Sequence, residues 1–208
     1  MNVSKLIINA DLFEQLIGFA SSYPSLEWGG MLIGERRECY SKVCIAIFPS
    51  QKRQDRCYCE FDGGELVLIK NALSSENMQS SKWVNIGWIH THPNLTVFLS
   101  GIDKRSFEAW SALDPLAVAV VIDPFSENKK IGAFDSRYEE IRIDILKEVC
   151  VSDVRNIDVF CKEVSKEYTK KNWELPTVIC PTISDREMLI EIGEMKEYPL
   201  KKLSAEEN

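Results

Sequence analysis

Apolar runs of two kinds alternate along this chain and predict a mixed α/β protein. Runs of about four to eight apolar residues are typical of strands, and apolar positions three or four residues apart are typical of helices. The predicted strands cover residues 4–9, 28–35, 40–50, 82–89, 116–123, 131–136 and 139–146. The predicted helices cover residues 10–24, 62–76, 103–115, 152–173 and 184–198. Such alternation favours strands and helices in one layered core.

Several segments carry more specific signals. Residues 116–123 contain no charge before Asp123, which predicts a central strand covered on both faces. The glycine-rich run at 28–35 predicts a strand pressed closely against its neighbours. We interpret residues 51–56 as a charged turn and residues 175–182 as a proline-bracketed connector.

The character of the chain changes near residue 150, where a long amphipathic helix is predicted. Its apolar stripe consists of Val154, Ile157, Phe160, Val164 and Tyr168. The stripe could fold back onto the α/β core or pack against another protein, and the sequence leaves both open. We divide the chain into a core domain, residues 1–147, and a helical C-terminal extension with a tail, residues 148–208.

Composition narrows the class of protein. The chain has 208 residues, of which 45% are apolar, with five Trp, as expected of a folded soluble protein. The formal net charge of −7 argues against a nucleic-acid or anionic-membrane partner. No apolar run approaches the roughly 18 residues of a membrane span, and the N-terminus does not resemble a signal peptide. We therefore expect a cytoplasmic protein.

The seven cysteines are scattered, and only Cys57 and Cys59 form a close pair. A structural zinc site usually takes its four ligands from two such pairs, and the sequence offers no second one. We expect reduced cysteines in or near the core.

The only two histidines, His90 and His92, follow an apolar strand with one residue between them. Alternate side chains of a strand share a face, so both rings can approach one metal ion. Asp103, at the start of the next predicted helix, is a candidate third ligand. Two histidines and a carboxylate with an open fourth position are typical of catalytic zinc. Ser100 and Asp103 also form the Ser-x-x-Asp pattern of a helix capping box, which needs no metal.

Together these residues resemble the signature of the JAMM (MPN+) metalloproteases: His-Thr-His-Pro, six residues, then Ser-x-x-Asp. The upstream glutamate of that family matches Glu27, within "SLEWGGMLIG". The resemblance spans roughly residues 5–135 and is strongest to the branch that includes the deubiquitinating subunit of the proteasome lid. It implies the MPN fold (JAMM, cytidine-deaminase-like), a mixed sheet flanked by helices.

The resemblance also implies a role for each matched residue. His90, His92 and Asp103 would ligate one Zn²⁺ per chain, with a water as the fourth ligand. Glu27 would act as general base on that water, and Ser100 would donate a hydrogen bond to the oxyanion. The second zinc of AMSH-type relatives requires further histidines, which this chain lacks.

The implied function is that of a zinc-dependent isopeptidase, a deubiquitinase that cleaves after the C-terminal Gly-Gly of ubiquitin or a ubiquitin-like modifier. Implied partners are that substrate and a proteasome-type complex or another MPN protein. The alternative is a catalytically silent MPN scaffold that binds protein partners. Pro93 and the lack of further histidines contradict the metallo-β-lactamase pattern. A RadC-like protein shares the fold, and its activity would be open.

Overall fold

Strands and helices alternate through residues 3–147 and 151–181, the part of the chain that the computed structural model describes. The strands are β1 Lys5–Asn9, β2 Gly29–Arg36, β3 Tyr40–Phe48, β4 Gln51–Gln54, β5 Cys59–Phe61, β6 Trp83–Thr91, β7 Val118–Ile122, β8 Ile131–Phe134, β9 Glu140–Leu146 and β10 Thr177–Ile179. The helices are α1 Ala10–Ser21, α2 Gly63–Leu73, α3 Gly101–Leu113 and α4 Val151–Lys171, with a 3₁₀ turn at Glu76–Met78. The predicted helix at 184–198 and the tail lie outside the described residues.

Eight of the strands form one mixed sheet in the order β1-β9-β8-β7-β6-β2-β3-β10. Because β1 also pairs with β3, the sheet closes on itself. Near its centre, β6 pairs antiparallel with β2 and parallel with β7. The C-terminal end of β6 therefore lies between the start of β2 and the end of β7. The predicted mixed sheet flanked by helices is confirmed.

Helices cover both faces of this sheet. α1 packs on one face through Leu12 and Leu16, and α2, α3 and α4 pack on the other. In β7, Val120 faces the α1 side while Val121 faces α3. A strand covered in this way buries every side chain, which explains the uncharged run predicted at 116–123.

Side-chain caps determine where two of the helices begin. The Asn9 side chain accepts the N–H groups of Asp11 and Leu12 at 2.9 and 3.2 Å, so α1 starts directly after β1. Asp62 accepts the N–H of Gly64 at 2.8 Å at the start of α2. Each cap satisfies amide groups that have no partner inside the helix.

The glycines of β2 permit the close packing predicted for this segment. A Cβ atom at Gly30 would lie 2.4 Å from the carbonyl oxygen of Ile47, and one at Gly34 would lie 1.9 Å from that of Lys42. Larger residues at these positions would push β2 away from β3 and disturb the start of the strand beside the candidate site.

Two segments predicted as irregular are strands. Gln51–Gln54, part of the predicted charged turn, forms β4 and pairs with β5. Thr177–Ile179, within the predicted connector, forms β10 and pairs with β3. Both predictions were wrong because short strands at an edge gain their hydrogen bonds from distant partners and need no apolar alternation.

The stripe of α4 packs on the protein's own core, which decides between the two alternatives left open by the sequence. Ile157, Phe160, Val164 and Tyr168 are buried in a cluster with residues of β2, β3 and α2. The Tyr168 hydroxyl donates to Glu65 of α2. The division of the chain near residue 147 stays a prediction.

The described residues bear on two expectations from the sequence, those for the cysteines and for membrane-spanning segments. Cys57 and Cys59 are free thiols. Within residues 3–147 and 151–181, a single group of His, Cys or acidic residues is close enough to share a metal ion, and it contains no Cys. No helix in these ranges has both the length and the apolar composition needed to cross a bilayer.

Truncating Phe160 to Ala should lower the free energy of unfolding by about 3–5 kcal/mol, because the side chain is fully buried between α4 and the sheet. Urea denaturation of the purified protein would measure the loss. Ser165→Ala, on the exposed side of the same helix, should change stability by less than about 0.5 kcal/mol. Equal and small effects of the two substitutions would contradict a shared core.

Candidate active site

Four buried polar side chains meet beside the C-terminal end of β6. His90 and His92 belong to this end, Glu27 precedes β2, and Asp103 lies in the first turn of α3. Their relative exposures are 0%, 2%, 3% and 5%, respectively. Strand pairing accounts for the meeting, since Gly29 of β2 lies opposite His90.

The ring nitrogens and the carboxylate of Asp103 are spaced as ligands of one metal ion. The two Nε2 atoms are 3.1 Å apart, and Asp103 Oδ1 lies 3.5 Å from His90 Nε2. Asp103 Oδ2 lies 3.8 Å from His92 Nε2. Tetrahedral ligands at about 2.0–2.1 Å from zinc would be about 3.3 Å from one another. The three residues therefore fit a small divalent cation.

Asp103 serves the helix cap and faces the histidines at the same time. Its Oδ2 accepts the Ser100 N–H at 2.7 Å, and the Ser100 Oγ accepts the N–H groups of Ile102 and Asp103 at 3.2 Å each. The predicted capping box is thus present. Because the cap fixes the carboxylate through Oδ2, Oδ1 remains directed at His90. The Ser-x-x-Asp pattern can therefore form a helix cap and supply a candidate metal ligand at the same time.

Glu27 is held in place by the small sheet of β4 and β5. Its N–H donates to Asp55 O at 2.9 Å, and its carbonyl accepts from Gln54 Nε2 at 2.7 Å. The carboxylate Oε1 lies 3.7 Å from His92 Nε2. Burial raises the pKa of Glu27 to about 8, although His92 counteracts part of the rise. A cation beside this carboxylate would favour its ionised form.

Burial and neighbouring charges shift the other three groups in different directions. Burial lowers the pKa of His90. Burial would also lower the pKa of His92, but Asp103, the Thr96 carbonyl and Glu27 raise it overall. Burial opposes ionisation of Asp103, yet the two histidines and Ser100 hold its pKa well below the usual range. Asp103 is thus the group that stays ionised, and a cation bound beside it would also favour the ionised form of Glu27.

The two rings are oriented by different means. His92 Nδ1 lies 2.6 Å from the carbonyl oxygen of Thr96, which can only accept, so Nδ1 carries the proton and Nε2 presents a lone pair. His90 stacks on Trp88 with ring centroids 4.2 Å apart. Its Nδ1 has no hydrogen-bond partner among the described residues. Packing positions His90, whereas a hydrogen bond positions His92.

Thr91, between the histidines, forms two hydrogen bonds with Trp28, the residue after Glu27. Its Oγ1 accepts the Trp28 N–H at 2.9 Å, and its own N–H donates to Trp28 O at 2.9 Å. The side chain is 2% exposed and points away from the two rings, as strand alternation requires. The sequence analysis did not predict this role of Thr91. The position of a hydroxyl-bearing residue between two candidate ligands was the signal that could have indicated it.

Sequence comparison identifies the family of this chain. Residues 1–116 match the family described as "JAB1/Mov34/MPN/PAD-1 ubiquitin protease". The match covers more than half of the chain and includes every candidate site residue named so far from Glu27 to Asp103. The chain therefore belongs to the JAB1/Mov34/MPN/PAD-1 family, and its predicted membership of the JAMM (MPN+) group is confirmed.

Several curated proteins are similar to this chain over part of their length. An uncharacterized protein of Caenorhabditis elegans is 43% identical over 134 residues, which is 62% of this chain and 38% of that protein. AMSH-like ubiquitin thioesterase 3 of Arabidopsis thaliana is 28% identical over 110 residues, 53% of this chain and 20% of that protein. The 26S proteasome regulatory subunit rpn11 of Schizosaccharomyces pombe is 26% identical over 104 residues, 50% of this chain and 33% of that protein. The chain thus matches between a fifth and two fifths of the length of these relatives.

Replacing Thr91 with Val should expose the Trp28 amide to solvent exchange, because the acceptor is lost while the shape is kept. Leaving a buried N–H group without its hydrogen-bond acceptor costs about 1–3 kcal/mol. Hydrogen exchange of the Trp28 N–H should therefore accelerate roughly tenfold or more. NMR of the Trp28 N–H in metal-free protein measures this rate. Thr91→Ser keeps the hydroxyl and should leave the rate near that of the wild type. The same acceleration in both variants would contradict the assigned hydrogen bond.

Proposed function

We propose that this chain is a zinc-dependent isopeptidase that cleaves after the C-terminal Gly-Gly of ubiquitin or a ubiquitin-like modifier. The observation that carries the proposal is the convergence of His90, His92 and Asp103 at ligand spacing beside the buried carboxylate of Glu27. The names of the relatives, a ubiquitin thioesterase among them, support the substrate class.

His90 and His92 would hold the zinc through Nε2, and Asp103 would hold it through its carboxylate. Zinc bound there supplies a Lewis acid that polarises the substrate carbonyl and makes a water nucleophilic near neutral pH. The surrounding chain contributes rigidity: His90 lies in the central strand β6, His92 directly follows it and is hydrogen-bonded to Ile122 of β7, and the helix cap fixes Asp103. Rigid placement of this kind keeps the three donors at the spacing a single ion requires.

Glu27 is the proposed general base. Its Oε1 would take a proton from the attacking water and later deliver it to the departing amine nitrogen. Burial raises the pKa of Glu27 to about 8, which places this carboxylate in the range suited to accepting a proton near neutral pH. The hydrogen bonds of the Glu27 backbone to Gln54 and Asp55 hold the residue where its carboxylate lies 3.7 Å from His92 Nε2.

Ser100 is the proposed hydrogen-bond donor to the oxyanion of the tetrahedral intermediate. Its Oγ accepts two helix N–H groups and keeps its own proton available for donation. The capping interaction would therefore position the donor at the same time as it stabilises α3. A donor fixed before the reaction stabilises developing charge without reorganisation.

The catalytically silent MPN scaffold is less well supported, because the described chain brings all the candidate ligands and the base together. A proteasome-type complex or a second MPN protein remains the proposed class of partner, by analogy with the proteasome subunit among the relatives. The apolar stripe of α4 does not support that proposal, since the protein's own core covers it. We propose a cytoplasmic location.

Purified protein should contain close to one zinc ion per chain, as measured by elemental analysis after dialysis. His92→Ala should remove most of the metal, because a ligand and its fixed Nε2 lone pair are lost. Glu38→Gln, an exposed acidic residue far from the site in the fold, should retain it. A folded wild-type protein that binds no zinc would contradict the enzyme and leave the scaffold as the better candidate.

Glu27→Gln should reduce kcat by roughly 10²–10⁴-fold, because the amide cannot accept the proton. Zinc should stay bound, since Glu27 is not among the proposed ligands. Cleavage of several ubiquitin-like precursors and linked chains, followed by mass spectrometry, would give both the rate and the bond cut. Unchanged turnover by this variant would rule out Glu27 as the base, and cleavage elsewhere than after Gly-Gly would rule out the proposed substrate class.

A further inference from the structure

Asp123 lies at the end of β7, next to the end of β6 that carries the histidines. The two strands pair in parallel with Thr91 opposite Ile122, and the His92 N–H donates to the Ile122 carbonyl at 2.7 Å. The Asp123 side chain has no exposed surface. None of the roles considered so far uses this buried carboxylate.

Four backbone amides donate to this carboxylate. Oδ1 accepts from Asn94 at 3.2 Å and from Phe125 at 3.0 Å, and Oδ2 accepts from Leu95 at 2.8 Å and from Thr96 at 2.7 Å. These four bonds fill the hydrogen-bonding capacity of a carboxylate. Three of the donors belong to the turn between His92 and α3, so Asp123 fixes that turn to the end of β7.

The turn needs such support because its backbone is strained. Asn94 and Thr96 have φ angles of 64° and 71°, in the left-handed region. Thr is β-branched, and this conformation is unusual for a residue of that shape. The bond from the Thr96 N–H to Asp123 stabilises the residue in this conformation.

Thr96 links the turn to the candidate site. Its N–H donates to Asp123, and its carbonyl accepts the Nδ1 proton of His92 at 2.6 Å. The carbonyl direction depends on the backbone conformation that Asp123 holds. We propose that Asp123 is a positioning residue for His92, which acts through Thr96 to keep the proton on Nδ1 and the Nε2 lone pair directed at the metal.

The inference rests on the metal site of the proposed function, and it adds a residue to which neither the family resemblance nor the relatives assign a role. His90 has no equivalent support, since its Nδ1 has no partner among the described residues. The effect of changing Asp123 should therefore fall on one of the two rings.

The test compares Asp123→Asn with a matched control, Asp135→Asn. An amide group at position 123 accepts through one atom and cannot accept through the other, so two of the four bonds are lost. Asp135 is 3% exposed and accepts the N–H groups of Arg137 and Glu139 at 2.9 and 3.0 Å, in a turn that holds neither histidine. Asp135 Oδ2 also accepts from the Arg137 guanidinium, so both substitutions disturb a buried carboxylate that caps a turn, and only one should affect the site.

The first readout is the tautomer of each ring in metal-free protein, measured by ¹⁵N NMR at a pH above the histidine titration range. The chain has two histidines, so the spectrum contains only two rings to assign. We expect the Nδ1–H form of His92 in the wild type and in Asp135→Asn, and loss of that preference in Asp123→Asn. The wild-type tautomer preserved in folded Asp123→Asn would overturn the inference.

The second readout is the zinc dissociation constant, measured by competition with a chromophoric chelator. It should rise about 10–100-fold in Asp123→Asn and stay unchanged in Asp135→Asn. If the wild type binds no zinc, the proposed function fails, while the tautomers of the metal-free proteins still decide the role of Asp123. An unchanged constant in the folded variant would overturn that role.

A second variant keeps the experiment decisive if Asp123→Asn does not fold. Adding Thr96→Gly relieves the strain at φ 71°, because glycine adopts this conformation readily. The double variant still lacks the carboxylate, so weak zinc binding and an altered His92 tautomer should persist. Thr96→Gly alone is the reference for the double variant, and equal zinc dissociation constants and equal His92 tautomers in these two variants would contradict the inference.

Discussion

The backbone hydrogen bonds at the end of β6 are the constraint on which the rest of the site depends. The N–H of Thr91 donates to Trp28 on one side, and the N–H of His92 donates to Ile122 on the other, at 2.9 and 2.7 Å. These bonds bring the residue after Glu27 and the residue before Asp123 to the same place. Rotating or shifting β6 by one residue would move both histidines to the opposite face of the sheet.

The site combines groups that would be unfavourable to bury separately. Glu27 and Asp103 are almost fully buried, and burial opposes the ionisation of each carboxyl. Backbone amides, the helix cap and the histidines offset part of that cost for Asp103, but Glu27 has fewer compensating contacts. Asp103 stays ionised in this buried site, so a cation bound beside it would be strongly stabilised.

The same few contacts serve stability and the proposed chemistry together. The Ser100–Asp103 cap starts α3 and orients a candidate ligand. The small sheet of β4 and β5 satisfies polar backbone groups and holds Glu27. The Asp123 carboxylate closes a strained turn and, through Thr96, orients a ring. Substitutions at such positions affect folding and function at once, which is why tests of them need a readout beyond activity.

The sequence by itself determined the strong elements and the composition of the site. Continuous or periodic apolar runs identified strands β1, β2, β3, β6, β7, β8 and β9 and helices α1 to α4, and the spacing of His90 and His92 placed two ring nitrogens on one face. Tertiary structure decided what depends on partners distant in the chain. It made strands of Gln51–Gln54 and Thr177–Ile179, packed α4 on its own core, and recruited Thr91 and Asp123 to the site. Hydrogen bonds from distant segments leave no period in the sequence, because each satisfies one polar group at one position.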